Sequence, residues 1–323
     1  MTRQFALLLL IFLFFSCKNT DKTNQSTAPQ GDLIIFHAGS LSVPFKLIAK
    51  EFEKENPGTK VLLEAAGSVA CARKITDLKK ECDIMASADI EVIDRFLIPN
   101  FAEWNISFAS NEMIIAFTDK SRLSNEINST NWYKILSNPK VIYGRADPNA
   151  DPCGYRSVMT TKLTAMIEEN SEILKLLEKD NNFIRPKEVD LLGLLEANAI
   201  DYIFIYKSVA IQHQLKFISL GDSINLSNPE LENWYAQSVV EISGSKPGDF
   251  VQLKGSTMLY GITQLKNAPN PLLAKAFLEF FFNSENGMRI IQEQGQENII
   301  PTFSNTYKQI PDYLKKFATD FKQ

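Results

Sequence analysis

The chain opens with apolar positions that do not alternate. Residues 5–15 of "MTRQFALLLLIFLFFSC" are apolar throughout. That run is shorter than the roughly 20 residues that a membrane-spanning helix needs. Arg3 ahead of it and Ser16-Cys17 behind it give it the form of a secretory signal. "KNTDKTNQSTAPQG" follows without a large apolar side chain and reads as a flexible tether. Beyond residue 31 the pattern changes. Short β-rich apolar runs alternate with segments of helical period, which predicts an α/β architecture with largely parallel sheets.

"DLIIF" (32–36) reads as a strand, and "VPFKLIAKEFEKEN" as a helix with Val43, Leu47, Ile48 and Phe52 on one face. "KVLLEA" (60–65), "SVACARKITDLKKE" and "CDIMASA" continue as strand, helix and strand, completing a doubly wound β-α-β-α-β unit. "EMIIAFTD" (112–119), "KVIYGRAD" and "IDYIFIY" (200–206) are strands; "NWYKILSN", "YRSVMTTKLTAMI" and "KSVAIQHQ" are helices. "STMLYGIT" (256–263) is a late strand. "NPLLAKAFLEFFFN" is a late helix capped by Asn270, with Pro271 at its first position and Leu273, Phe277 and Phe280 as its buried stripe. A last helix over "SENGMRIIQEQG" ends at Gly295. No segment repeats.

Composition narrows the function. The 323 residues carry a net charge of −4, without the basic excess of a nucleic-acid binder. Two histidines, His37 and His213, are too few for a multi-histidine catalytic zinc site. After Cys17, three cysteines remain, so at least one thiol is free. A bridge between Cys71 and Cys82 is ruled against by the helical rise between them.

Two segments share one form. "FHAGSL" (36–41) and "EAAGSVA" (64–70) each place Gly-Ser between the end of a strand and the start of a helix. Free backbone N–H groups and the helix dipole favour an anion there, and serine adds a hydroxyl donor. Ligands of open α/β sheets bind at these strand ends. The pair therefore predicts an oxyanion site around Ser40 and Ser68. "RADPNADPCGYRS" (145–157) is a third strand-to-helix junction. Asp147 reads as a turn residue. Asp151, before Pro152, reads as a helix N-cap that is also free to face a ligand. Glu188 opens "EVDLLGLLEA" on the face of Leu191, Leu192 and Leu195. It is either a helix-end residue or a functional carboxylate. Tyr206 ends a strand, and its hydroxyl meets either a cleft or a polar partner in the core.

Together, "FHAGSL", "EAAGS", "SAD", "DPCGYRS", "DYIFIYKSVA" and "YGIT" resemble the tungstate/molybdate-binding proteins of ABC importers, in the archaeal-type WtpA branch. The similarity runs over roughly residues 32–300. It implies a periplasmic-binding-protein fold of type II: two doubly wound α/β lobes joined by a hinge, with the ligand cleft between them. Lobe 1 would be residues 31–113 plus 258–323, and lobe 2 residues 114–257. Residues 1–16 would be a lipoprotein signal peptide, and 17–30 a lipidated Cys17 with its tether. The resemblance also implies an oxyanion site of Ser40, the Leu41 amide, Ser68, Asp151, Pro152, the Cys153 amide, Glu188 and Tyr206. In it the Asp151 and Glu188 carboxylates approach the tungsten or molybdenum. The stretch between Asp151 and Glu188 is shorter than in the archaeal members, and Glu188 is placed by counting back from "IDYIFIY". No cofactor is implied. The partners would be the oxyanion and a membrane ABC permease, and the protein a lipid-anchored monomer on the periplasmic or extracellular face.

Paired carboxylates repel a dianion more strongly as a site dries. They favour one only if it carries a proton, as hydrogen phosphate does, or if its central atom accepts further oxygen ligands, as tungsten and molybdenum do. Sulfate satisfies neither condition, which leaves phosphate as the alternative ligand. Two other classes compete: a surface hydrolase using Ser40 with His37, and a structural adhesin. The first lacks a third partner and a G-x-S-x-G elbow; the second lacks repeats.

Overall fold

The computed structural model describes residues 29–244 and 248–321. The apolar leader and Cys17 lie outside the described residues. Among those described, no helix is long and apolar enough to cross a membrane.

The chain builds two main sheets. The first contains β1 (Gly31–Ala38), β2 (Thr59–Ala66), β3 (Ile84–Ser87), β4 (Ile106–Ser110), β12 (Leu259–Gln264) and β13 (Glu297–Asn298), in the order β13-β4-β12-β3-β1-β2. The second contains β5 (Met113–Phe117), β6 (Tyr143–Ala146), β7 (Ile184–Arg185), β8 (Tyr202–Tyr206) and β9 (Lys216–Ser219), in the order β7-β6-β8-β5-β9. A separate antiparallel ribbon joins β10 (Val239–Ser243) to β11 (Phe250–Lys254).

The sheets are mixed rather than largely parallel, and the crossing strands explain most of the difference. β1 pairs parallel with β2 and β3, and β6 parallel with β7 and β8. β4 leaves the first sheet straight into β5, which enters the second sheet at the end where β8 finishes; Met113 sits opposite Tyr206. β5 therefore runs against β8. On the return, β12 enters the first sheet at the end where its neighbours finish, and it runs against β3 and β4. A strand that crosses between two sheets must enter each with reversed polarity. Periodicity along the chain carries no sign of that.

Helices cover the first sheet as α1 (Ser42–Glu55), α2 (Ser68–Thr76), α3 (Ile90–Phe96), α10 (Pro271–Phe281) and α11 (Gly287–Glu293). The second carries α4 (Trp132–Ser137), α5 (Pro152–Ile167), α6 (Asp190–Glu196) and α7 (Lys207–Gln212), followed by the single turns α8 (Asp222–Asn225) and α9 (Glu232–Tyr235). α1 buries Phe45, Ile48, Ala49 and Phe52, whereas Leu47 is exposed, so its apolar face is rotated from the predicted one. Phe45 and Phe52 pack on Phe277, Phe280 and Phe281 of α10. Each such ring contributes about 1.5–3 kcal/mol through burial. α10 starts as predicted, with the Asn270 side chain accepting from the Leu273 N–H at 3.3 Å. α2 stops at Thr76, short of the predicted end, because the chain turns through Lys79 at a φ of 51°. Cys71, Cys82 and Cys153 are all free and buried.

Candidate functional site

The ends of β1, β2, β6 and β8 meet between the two sheets. Each delivers one of the predicted side chains. Ser40 lies in the single turn Gly39–Leu41 between β1 and α1, and Ser68 is the first residue of α2; both are fully buried. The Ser40 Oγ accepts from the Tyr260 hydroxyl at 3.0 Å, and its carbonyl from Gln296 Nε2 at 3.3 Å. The Ser68 Oγ accepts from the Ala88 N–H at 3.0 Å. His37 stacks on Phe45, and its Nδ1 lies 2.8 Å from the Ala38 carbonyl. Burial lowers its pKa to about 4. The Ser40–His37 pair that a hydrolase would use is not made.

Asp151 is the N-cap of α5, as the Asp-Pro pair predicted. Its Oδ1 accepts from the Cys153 N–H at 2.7 Å, and Pro152 takes the first helical turn. Asp147 is a turn residue whose Oδ1 accepts from the Asn149 N–H at 2.8 Å. Glu188 differs from its prediction. It sits in the turn before α6, which begins at Asp190, so it is not on the helix's leucine face. The Leu191 N–H bonds to its carbonyl at 3.1 Å, and its own N–H reaches Asp151 Oδ2 at 3.4 Å. The side chain is 1% exposed, and among the described residues neither carboxyl oxygen makes a well-formed hydrogen bond; the Asp151 carboxyl and the Ser40 N–H lie close enough to act on its charge. Burial, and then the charge of Asp151, push its pKa well above the usual carboxylate range. Burial raises Asp151 too, opposed by hydrogen bonding with Glu188 and the Cys153 N–H.

The two glycines ahead of the serines are where the halves of the molecule approach. A Cβ on Gly39 would lie 2.7 Å from Glu188 Oε2, and one on Gly67 would lie 2.2 Å from the Ala150 carbonyl oxygen. The Ala70 N–H bonds to that same carbonyl at 3.1 Å. Each Gly-Ser turn thus faces one carboxylate segment: Gly39-Ser40 meets Glu188, and Gly67-Ser68 meets Ala150-Asp151. The glycines make room for the opposite side.

Tyr206, left open between cleft and core, finds a polar partner. Its hydroxyl accepts from Arg156 Nη1 at 3.0 Å. Arg156 was not predicted, although it lies inside "DPCGYRS". It is 1% exposed, donates to the Ala88 carbonyl at 2.7 Å and pairs with Asp89 at 3.0 Å. Tyr155 donates to the same Asp89 carboxylate at 2.5 Å. Arg156 and Tyr155 belong to α5 of the second sheet, whereas Ala88 and Asp89 follow β3 of the first. At the rim, Arg73 of α2 donates to the carbonyls of Ser243 at 2.6 Å and Gly244 at 3.1 Å. The sequence signal for Arg156 was that it is, with Lys162, one of only two charged residues in the helical segment 152–167. A charge there needs a buried partner.

Residues 33–297 match the family described as "Bacterial extracellular solute-binding protein". The chain is 43% identical, over 98% of both chains, to an uncharacterized solute-binding protein of Petrotoga mobilis. It is 40% identical to the molybdate/tungstate-binding protein WtpA of Thermococcus kodakarensis, over 96% of this chain and 94% of that one. Among solved structures, the periplasmic molybdate-binding protein of Azotobacter vinelandii matches with a TM-score of 0.58 at 14% identity, covering 82% of this chain and 98% of that one. The sulfate-binding protein SubI of Mycobacterium tuberculosis matches with a TM-score of 0.60 at 10% identity, covering 84% and 88%. These likenesses show the type II periplasmic-binding fold. With its fold and nearly its whole length matched, the chain belongs to the bacterial extracellular solute-binding protein family.

Proposed function

We propose that this chain captures tungstate or molybdate outside the cytoplasmic membrane and delivers it to an ABC importer, held to the membrane through lipid on Cys17. The observation that carries the reading is Glu188. A buried carboxyl group with no well-formed hydrogen bond to either oxygen, held beside a second carboxyl group, is costly unless a ligand uses it. It stands beside Asp151 and against Gly39-Ser40. In this reading Ser40, Ser68 and the Leu41 amide donate to the oxyanion's oxygens, and the Cys153 amide, which caps α5 through Asp151 Oδ1, shares its proton with the ion. Pro152 fixes the start of α5, Tyr206 lines the site, and Asp151 and Glu188 add oxygen ligands to the metal. Residues 31–113 with 258–323, and residues 114–257, act as the two jaws, and the protein works as a monomer. The relatives named for molybdate and tungstate support the choice of ion.

Hydrogen phosphate is the second reading, because a buried carboxylate also accepts its proton. Titration calorimetry of the chain lacking its leader, with tungstate, molybdate, phosphate and sulfate, tests both. Tight one-to-one binding of tungstate and molybdate, with phosphate and sulfate far weaker, is expected. Phosphate binding as tightly as tungstate rejects the metal-coordinating reading.

A further inference from the structure

The direction of the hydrogen bond at the Ser40 hydroxyl is fixed from the crossover between the sheets. Asn111 lies between β4 and β5 and is buried. Its Oδ1 accepts from the backbone N–H groups of Glu112 at 2.9 Å and Ser208 at 3.3 Å. Backbone N–H groups only donate, so the amide has one orientation and Nδ2 faces the other way. Nδ2 donates to Ser208 Oγ at 2.7 Å and to the Tyr260 hydroxyl oxygen at 3.0 Å. An amide nitrogen cannot accept, so the Tyr260 proton is directed elsewhere, to Ser40 Oγ at 3.0 Å. Burial keeps that phenol protonated, raising its pKa above the ordinary value. The Ser40 oxygen is therefore already accepting. Among the described residues its own proton has no acceptor.

We propose that Tyr260 is a positioning residue for ligand binding: oriented by Asn111, it commits the Ser40 hydroxyl to donate into the cleft. The proposal rests on the reading of Ser40 as an oxyanion donor. It adds an affinity determinant that does not touch the ion. Ser68 is committed in the same sense by the Ala88 N–H, whose own carbonyl Arg156 holds. At Ser68 the directing donor is backbone, so side-chain replacement can test the principle only at Ser40.

Two substitutions separate deletion of this direction from its reversal. Tyr260→Phe removes the donor while keeping the ring against Phe108 and Tyr206. Loss of one such hydrogen bond predicts about tenfold weaker tungstate binding. Asn111→Asp keeps an acceptor for the two backbone N–H groups but turns the other atom into an acceptor. Tyr260 then donates to residue 111, and Ser40 donates to Tyr260, presenting lone pairs to the anion. This predicts a loss nearer a hundredfold. Adding Tyr260→Phe to Asn111→Asp leaves Ser40 nothing to donate to inside the protein, so affinity should recover to the level of Tyr260→Phe alone. Titration calorimetry with tungstate measures all three, and thermal unfolding shows that each is folded. Wild-type affinity in Tyr260→Phe, or a double variant no tighter than Asn111→Asp, overturns the proposal; the second outcome would assign the loss to the added charge. If the wild-type chain prefers phosphate, the tungstate reading fails, and the same variants titrated with phosphate still decide the role of Tyr260.

Discussion

As a proposed ligand carboxylate, Glu188 would oppose folding and serve binding with one side chain. Its folded pKa is raised, first by burial, so the folded protein holds a proton that the unfolded chain releases near pH 4.5. The stability this proton supplies is present below that pH and is lost as pH rises toward the raised value. Glu188→Gln removes the titration. It should raise the melting temperature of the ligand-free protein at pH 8, and the gain should shrink as pH falls to 4. The same substitution should weaken tungstate binding by at least tenfold. A thermal scan across pH beside a calorimetric titration checks both; unchanged affinity would make Glu188 a structural residue only. At this scale the sequence was legible where a local rule applied. Asp151 before Pro152 is a cap by spacing alone. Asn111, Tyr260, Arg156 and Asp89 were not, because each is defined by a partner at least 66 positions away.

Among the elements, the two Gly-Ser turns carry most of the information. Periodicity located both, and the glycines read as turn residues. Gly67, however, has an ordinary φ of −58°, so no backbone strain calls for glycine there. What calls for it is the Ala150 carbonyl on the opposite segment. Gly67→Ala should therefore leave the melting temperature of the ligand-free protein within a few degrees of wild type. It should weaken tungstate binding by more than tenfold, because the halves can no longer close to the same distance. A matching loss of stability would place the contact in the folding core instead. The helix start at Glu188 was misjudged for a related reason. Val189 and the leucines carry the helical period, but the chain enters α6 through a turn that brings Glu188 N–H to Asp151. A tertiary bond set that boundary.

On the scale of the whole molecule, the buried charges join the two halves. Arg156 and Tyr155 hold Asp89 from across the cleft, so opening would return that ion pair to water. Removing one partner of a buried pair costs roughly 3–5 kcal/mol when the other stays buried. Asp89→Asn keeps a cap for the Glu91 N–H but leaves Arg156 uncompensated when the halves meet. Small-angle scattering should show this variant more extended than wild type without ligand, and more tungstate should be needed to compact it. Identical scattering curves would mean that the pair does not influence closure. The α/β alternation was legible from the order of strands and helices, and the division into two lobes from the family resemblance. The antiparallel entry of β5 and β12 was not, since strand direction is a property of the path between sheets.

That path also orders assembly. The strands of the second sheet lie in one stretch, residues 113–219, and can pair once that stretch is available. The first sheet cannot be completed then, because β12, which separates β4 from β3, comes only at residues 259–264. A chain emerging from the ribosome or across a membrane therefore presents β1 to β4 long before their keystone arrives. The half that holds both Gly-Ser turns is therefore the last to be completed, and the proposed anion site is completed with it.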